Sequence, residues 1–123
     1  MRRPKYRNTK VVVDGITFDS KLESEEWLKL RMLEKAGHIQ NLRLQVKFPL
    51  YVNGEKVCTY IADFVYDENG EEVVLDVKSA YTAKLPEFKL KAKLFKAIHG
   101  KDILLSDGLP ATARRPSVRK RRA

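Results

Sequence analysis

The sequence has no run of apolar residues near the eighteen or so that a membrane-spanning helix needs, which excludes a helical membrane protein. It has one cysteine, Cys58, so no disulfide can form within the chain. The place of Cys58 in an alternating apolar run marks it as a buried structural thiol rather than a nucleophile. It has two histidines, His38 and His99, neither with a partner at metal-ligand spacing. Capping or core packing is expected of both, and a metal-independent ribonuclease, which needs paired histidines as acid and base, is disfavoured. The basic start lacks the apolar stretch of a secretory signal, so an intracellular, cytoplasmic protein is expected.

Acid is also scarce, but only locally. The first ten residues carry Arg2, Arg3, Lys5, Arg7 and Lys10, and the last ten carry Arg114, Arg115, Arg119, Lys120, Arg121 and Arg122, with no Asp or Glu in either stretch. Of 25 bases, 14 remain in residues 11–113 against all 16 acids, so a body of charge −2 lies between two basic arms that carry the net charge of +9. Such arms suit salt-sensitive contact with DNA phosphates, since each neutralised phosphate releases counterions and no base has to be read. A localisation tag or solubilising tail is the plainer alternative. At 123 residues the chain has the size of one domain. The division expected is a basic arm over 1–13, a folded body over 14–109, and a basic, disordered tail over 110–123.

Within the body, Leu22, Trp27, Leu28, Leu30, Met32 and Leu33 are spaced for a helix over residues 20–36, and Gly37 follows as a stop. Residues 46–52 and 57–66 are rich in β-branched and aromatic side chains, with Asn53-Gly54 between them as a hairpin turn. Asn69-Gly70 makes a second hairpin with residues 72–78. A second helix over 85–99 puts Phe88, Ala92, Phe95 and His99 on one face and Lys89, Lys93 and Lys96 on another; a strand over 102–105 closes the sheet. The order αβββαβ predicts an α/β (α+β) domain with a central mixed sheet.

The chemistry sits on the second hairpin. If Asn69-Gly70 are the two loop residues, Glu68 faces Glu71, and counting back along both strands makes Asp63 face Asp76. Two carboxylates directly opposite repel one another, and a bound cation is the natural compensation. Mg²⁺ suits such a pair, because it prefers a few carboxylates and keeps positions open for water and phosphate oxygen. Lys78 lies two residues beyond Asp76, on the same strand face and ~7 Å along it, where a positive charge could hold a phosphate or orient a water. A surface pair that merely keeps the sheet soluble is the bland alternative. Glu23 is a third candidate, although Ser20-Lys21-Leu22-Glu23 also reads as a capping box in which Glu23 only reaches back to the helix start.

These residues resemble a known superfamily. Ile61-Ala62-Asp63 followed by Asp76-Val77-Lys78, with Glu23 upstream on a helix, looks like the PD-(D/E)XK nuclease signature. Phe18-Asp19-Ser20-Lys21, Gln45-Val46-Lys47-Phe48 and Tyr60-Ile61-Ala62-Asp63-Phe64 are similar to a phage and prophage group of small endonuclease-like proteins related to Holliday-junction resolvases. The resemblance implies a restriction-endonuclease-like core and Mg²⁺ or Mn²⁺ held by Asp63 and Asp76. It further implies that Glu23 contributes to the metal or its water, and that Lys78 serves the attacking water. Ala62 stands where the superfamily's name has Pro, and Asp76 is the shorter of the two permitted acids. The resemblance would also bring Gln45 toward the site. The register set by Asn53-Gly54 argues against that, giving Gln45 the face of Ala62, unless Pro49 marks a bulge that resets the alternation.

The expected function is therefore metal-dependent hydrolysis of DNA phosphodiesters, with branched or junction DNA as an attractive substrate that would call for a homodimer. Lys84, Lys89, Lys93, Arg114 and Arg115 are the expected phosphate contacts. The alternative is a non-catalytic nucleic-acid-binding protein that works through its arms.

Overall fold

The computed structural model describes residues 9–113 except Ser79. The described chain opens on a hairpin: Asp14 and Gly15, with φ of 54° and 75°, turn β1 (Val11–Val13) back onto β2 (Ile16–Phe18). Both turn residues need positive φ in a type I′ turn, which Asp and Gly tolerate best. Val11–Val13 is thus a strand where a basic arm is expected, and the bases before residue 9 lie outside the described residues.

Helix α1 (Lys21–Lys35) starts where Ser20 leaves extended backbone and its hydroxyl accepts from the Glu23 N–H at 3.1 Å, one of the orphan donors of a helix start. Its inward stripe, Trp27 and Leu30, packs against Phe18, Phe64, Tyr66 and Leu75. The Trp27 indole N–H reaches back 3.0 Å to the Asp14 carboxylate, tying helix to hairpin. Trp27→Phe is expected to lower stability by about 2 kcal/mol in urea denaturation, through the lost charge-assisted hydrogen bond and the smaller ring.

Four strands form the main sheet in the order β3 (Gln40–Val52), β4 (Glu55–Glu68), β5 (Glu71–Asp76), β6 (Ile103–Leu105). β3, β4 and β5 run antiparallel, while β6 is parallel to β5 because a helical crossover connects them. That crossover holds α2 (Ala80–Ala83) and α3 (Pro86–His99), and α3 covers the second sheet face with Phe88, Ala92 and Phe95. The fold is the expected mixed α/β arrangement, with the β1–β2 hairpin and α2 added. The body also runs past residue 109, where a disordered tail is expected. Ala111 is buried, its N–H bonds to the Ile103 carbonyl, and the Thr112 hydroxyl donates to Asp102.

Two local features place the site. Near the Asn53-Gly54 turn, Val52 pairs with Glu55 and Tyr51 with Lys56, but the next rung joins Leu50 to Cys58, so Val57 is an extra residue in β4. This bulge shifts the register by one over the rest of the pair, through Val46↔Ala62 to Arg43↔Val65. The second feature is Gln45, whose φ of 49° breaks the pleat. Leu42 and Leu44 of β3 face α1 while Val46, Phe48 and Leu50 face α3; on β4, Phe64 and Tyr66 face α1 while Tyr60 and Ala62 face α3. The long hairpin therefore changes sides of the core at Gln45 and Asp63. Cys58, half-buried rather than buried, packs at the edge of the α3 side.

Candidate active site

The β4–β5 ladder carries the register set by Asn69-Gly70, from Glu68↔Glu71 to Phe64↔Leu75. Asp63 and Asp76 are next in that register, and there the strands part. The Val77 N–H, which a continuing ladder would give to a backbone carbonyl of β4, goes instead to Asp63 Oδ2 at 2.9 Å. The expected pair is therefore not a closed rung but two carboxylates across the mouth of a split.

Asp76 ends β5, backed by Leu105 of β6, and is 2% exposed. One oxygen, Oδ2, accepts from the Tyr60 hydroxyl at 2.8 Å and lies 3.5 Å from Lys78 Nζ. The other, Oδ1, is buried with no hydrogen-bond partner. Burial first, and then the Asp63 carboxylate beside it, push the Asp76 pKa up to about 8; Lys78 and Tyr60 pull against that shift without cancelling it. A proton shared with Asp63 would satisfy Oδ1, and so would a cation. Burial first, and then the Asp76 carboxylate it bonds to, hold the Tyr60 hydroxyl well above its usual range, so it stays a donor.

Glu23 sits in the first turn of α1, and its own N–H, not its carboxylate, makes the bond to Ser20. Its carboxylate lines a hollow of about 200 Å³ together with Asp63, Gln45 and Phe18. Its pKa rises to about 7, from burial first and then from Asp63 and Asp19, with Lys78 opposing. Glu23 is thus electrostatically joined to Asp63 and Lys78, although among the described residues no group of three or more His, Cys, Asp or Glu converges as metal ligands.

Gln45 does reach the site, against the register expected from Asn53-Gly54: the Val57 bulge sets it opposite Asp63, and its amide donates to Asp63 Oδ1 at 3.3 Å. The reset anticipated at Pro49 happens at Val57, where Leu50 and Tyr51 lose their common register. Lys78, with Nζ 4.8 Å above the Phe88 ring as well as beside Asp76, is held between the carboxylate and an aromatic face.

The lysines divide. Lys84, Lys89 and Lys93 are exposed on the helical side, but it is Lys91 that joins Asp76 and Lys78 in lining a cavity of about 330 Å³. Arg114 and Arg115 lie outside the described residues. His99, at the end of α3, packs tilted against Phe95 and edge-on to Phe48, with ring centroids 4.5 Å and 5.6 Å away. Tyr60 and Lys91 are the additions to the residues expected from sequence. A tyrosine three residues before Asp63 in a strand that must bury one face was the available signal, since a buried phenol needs an acceptor.

No curated protein matches the chain. A family model described as protein of unknown function (DUF1064) matches residues 3–106, a span that takes in Glu23, Gln45, Tyr60, Asp63, Asp76 and Lys78. The chain belongs to the DUF1064 family.

Proposed function

We propose that this protein is a Mg²⁺- or Mn²⁺-dependent DNA endonuclease. The observation that carries the reading is Asp76: a buried carboxylate with an unpartnered oxygen, facing a second carboxylate across a split strand pair, with a lysine at 3.5 Å. Left without a cation this arrangement opposes folding, and functional sites are where such arrangements are retained. The resemblance of Asp63, Asp76-Val77-Lys78 and Glu23 to the PD-(D/E)XK signature points the same way.

The donor set fits a small hard ion. Mg²⁺ takes one or two carboxylates and completes its shell with water and substrate phosphate, and does not need a closed cage of protein ligands. Asp63 and Asp76 would hold it, and when bound it would polarise the phosphate and acidify a water. The chain's own residues do the rest. Tyr60 and the Leu105 backing keep Asp76 in one orientation, while the Val77 N–H and the Gln45 amide do the same for Asp63. Lys78 neutralises charge developing on the phosphate, and Glu23 orients the attacking water. Basic arms hold the DNA backbone.

The test is nicking of supercoiled DNA by the full chain, present with Mg²⁺ and absent in EDTA. Lys78→Ala is expected to retain Mn²⁺ binding and lose about a hundredfold in rate. Tyr60→Phe keeps the ring but removes the donor to Asp76, so calorimetric Mn²⁺ affinity should weaken about tenfold, as for other groups that orient a metal ligand. DNA binding without any Mg²⁺-dependent cleavage would leave the non-catalytic binding protein, in which Asp63 serves only as acceptor for Val77 and Asp76 for Tyr60.

A further inference from the structure

Between the crossing at Gln45 and Asp63 and the Asn53-Gly54 turn, the β3–β4 pair is covered on the α3 side alone. Val46, Phe48, Leu50, Tyr60 and Ala62 pack there, and no residue of this half belongs to the cluster around α1. The residues that alternate with them form the opposite face, along the rungs Lys47↔Ile61, Pro49↔Thr59 and Tyr51↔Lys56. Tyr51 is 54% exposed and Ile61 45%, and Lys47, Pro49 and Lys56 are exposed as well. From Lys47 to Tyr51 the face runs about 13 Å. Its inner end lies two residues from Gln45 and Asp63, which line the hollow of about 200 Å³ with Glu23. In a body with more acids than bases, these three rungs hold two lysines and no acid. Neither lysine forms an ion pair among the described residues.

We propose that this face is a ledge for single-stranded DNA, which it leads to the carboxylates at its inner end. This inference rests on the nuclease reading and deepens it, since it makes an unpaired strand the preferred substrate. The choice of occupant follows from charge. The chain's own terminal arms carry only bases, so Lys47 and Lys56 repel them. A second copy packed face to face about a two-fold axis would set lysines against lysines. A nucleic-acid strand complements both features of the ledge: its phosphates meet Lys47 and Lys56, and its bases stack on Tyr51 and lie over Pro49 and Ile61. A duplex uses only the lysines, because its base faces are hidden in its own stack. An open ledge on one side of the strand suffices for this, since a base stacked on a tyrosine needs no second wall.

The experiment reads binding of the full chain in EDTA, where nothing is cut, by fluorescence anisotropy of a labelled oligo-dT strand and of a mixed-sequence duplex of the same length. Tyr51→Ala is expected to weaken binding of the strand about tenfold and to leave the duplex unaffected, which also shows that the variant is folded. Tyr51→Phe keeps the ring and should bind the strand as the wild type does. The double variant Lys47→Ala/Lys56→Ala is expected to flatten the dependence of strand affinity on salt by about 1.4 in logarithmic slope, the share of two phosphates. Strand binding that survives Tyr51→Ala, or is lost equally in Tyr51→Phe, overturns the ledge. A wild type that sediments as a dimer and becomes a monomer on Tyr51→Ala makes the face an interface between copies, and overturns it too. A chain that shows the tyrosine-dependent strand binding but never cuts with Mg²⁺ keeps the ledge and loses the nuclease. One that cuts, with Tyr51→Ala binding and cutting the strand as well as the wild type, keeps the nuclease and loses the ledge.

Discussion

Asp76→Asn is expected to abolish Mg²⁺-dependent cleavage and, in the same protein, to raise the stability of the metal-free fold. The loss follows from the proposed role. Replacing a charged oxygen ligand by a neutral amide removes most of the cation's hold, and with it charge stabilisation worth several kcal/mol, or roughly a thousandfold in rate. The gain follows from the surroundings. At 2% exposure Asp76 cannot ionise cheaply beside Asp63, whereas an asparagine still accepts from the Tyr60 hydroxyl and can donate its amide toward the Asp63 carboxylate. At pH 8 and above, where the wild-type carboxyl must give up its proton, the variant should be more stable in EDTA by about 2 kcal/mol. Nicking assays read the first effect and urea denaturation in EDTA the second. A variant that cuts like the wild type removes Asp76 from the chemistry. One that cuts poorly and is also less stable makes Asp76 a structural residue.

The parts of the site that were legible in the sequence are those that local chemistry determines. Asn69-Gly70 needs positive φ at both residues, here 53° and 80°, and a two-residue turn leaves one register, so Asp63 and Asp76 could be set opposite one another by counting. Ser20 announces α1, and Lys78 follows Asp76 on the same face by the pleat alone. The illegible parts depend on distant packing. Asn53-Gly54 makes the same kind of turn, yet Val57 bulges three residues beyond it and moves Gln45 onto Asp63. The change of sides at Gln45 lets one hairpin cover both α1 and α3, and neither helix's position could be known beforehand. Asp14-Gly15 carried a readable hairpin signal, but the basic residues just before it made the stretch look like an arm. The expected pairing was right in register, and its opening into a split was not foreseeable, because Asp63 there replaces a backbone acceptor with its own side chain.

The second large effect is a stability that falls with rising pH in EDTA and recovers with Mg²⁺. Asp76 and Glu23 have folded pKa values of about 8 and about 7, raised from 3.8 and 4.5. Between the two sets of values the folded protein keeps protons that the unfolded chain has released. Stability therefore declines as pH rises through this window and levels off above about 8. Glu72, drawn down by Lys101 and Arg43, acts oppositely only below its ordinary value of 4.5, so a window opening at about pH 5 isolates the effect. Each pKa unit is worth about 1.4 kcal/mol, but Glu23 is only partly buried and Asp76 shares its shift with Asp63, so the decline expected is on the order of 3 kcal/mol. A divalent cation that binds the ionised pair reverses the sign of the problem. It competes with the protons, so the stabilisation by Mg²⁺ should be small near pH 5 and grow toward pH 8. Urea or thermal melts across that range, with Mg²⁺ and with EDTA, read both slopes. Metal-free stability that rises from pH 5 to 8, or a Mg²⁺ effect independent of pH, would mean that these carboxylates are not the cation's ligands.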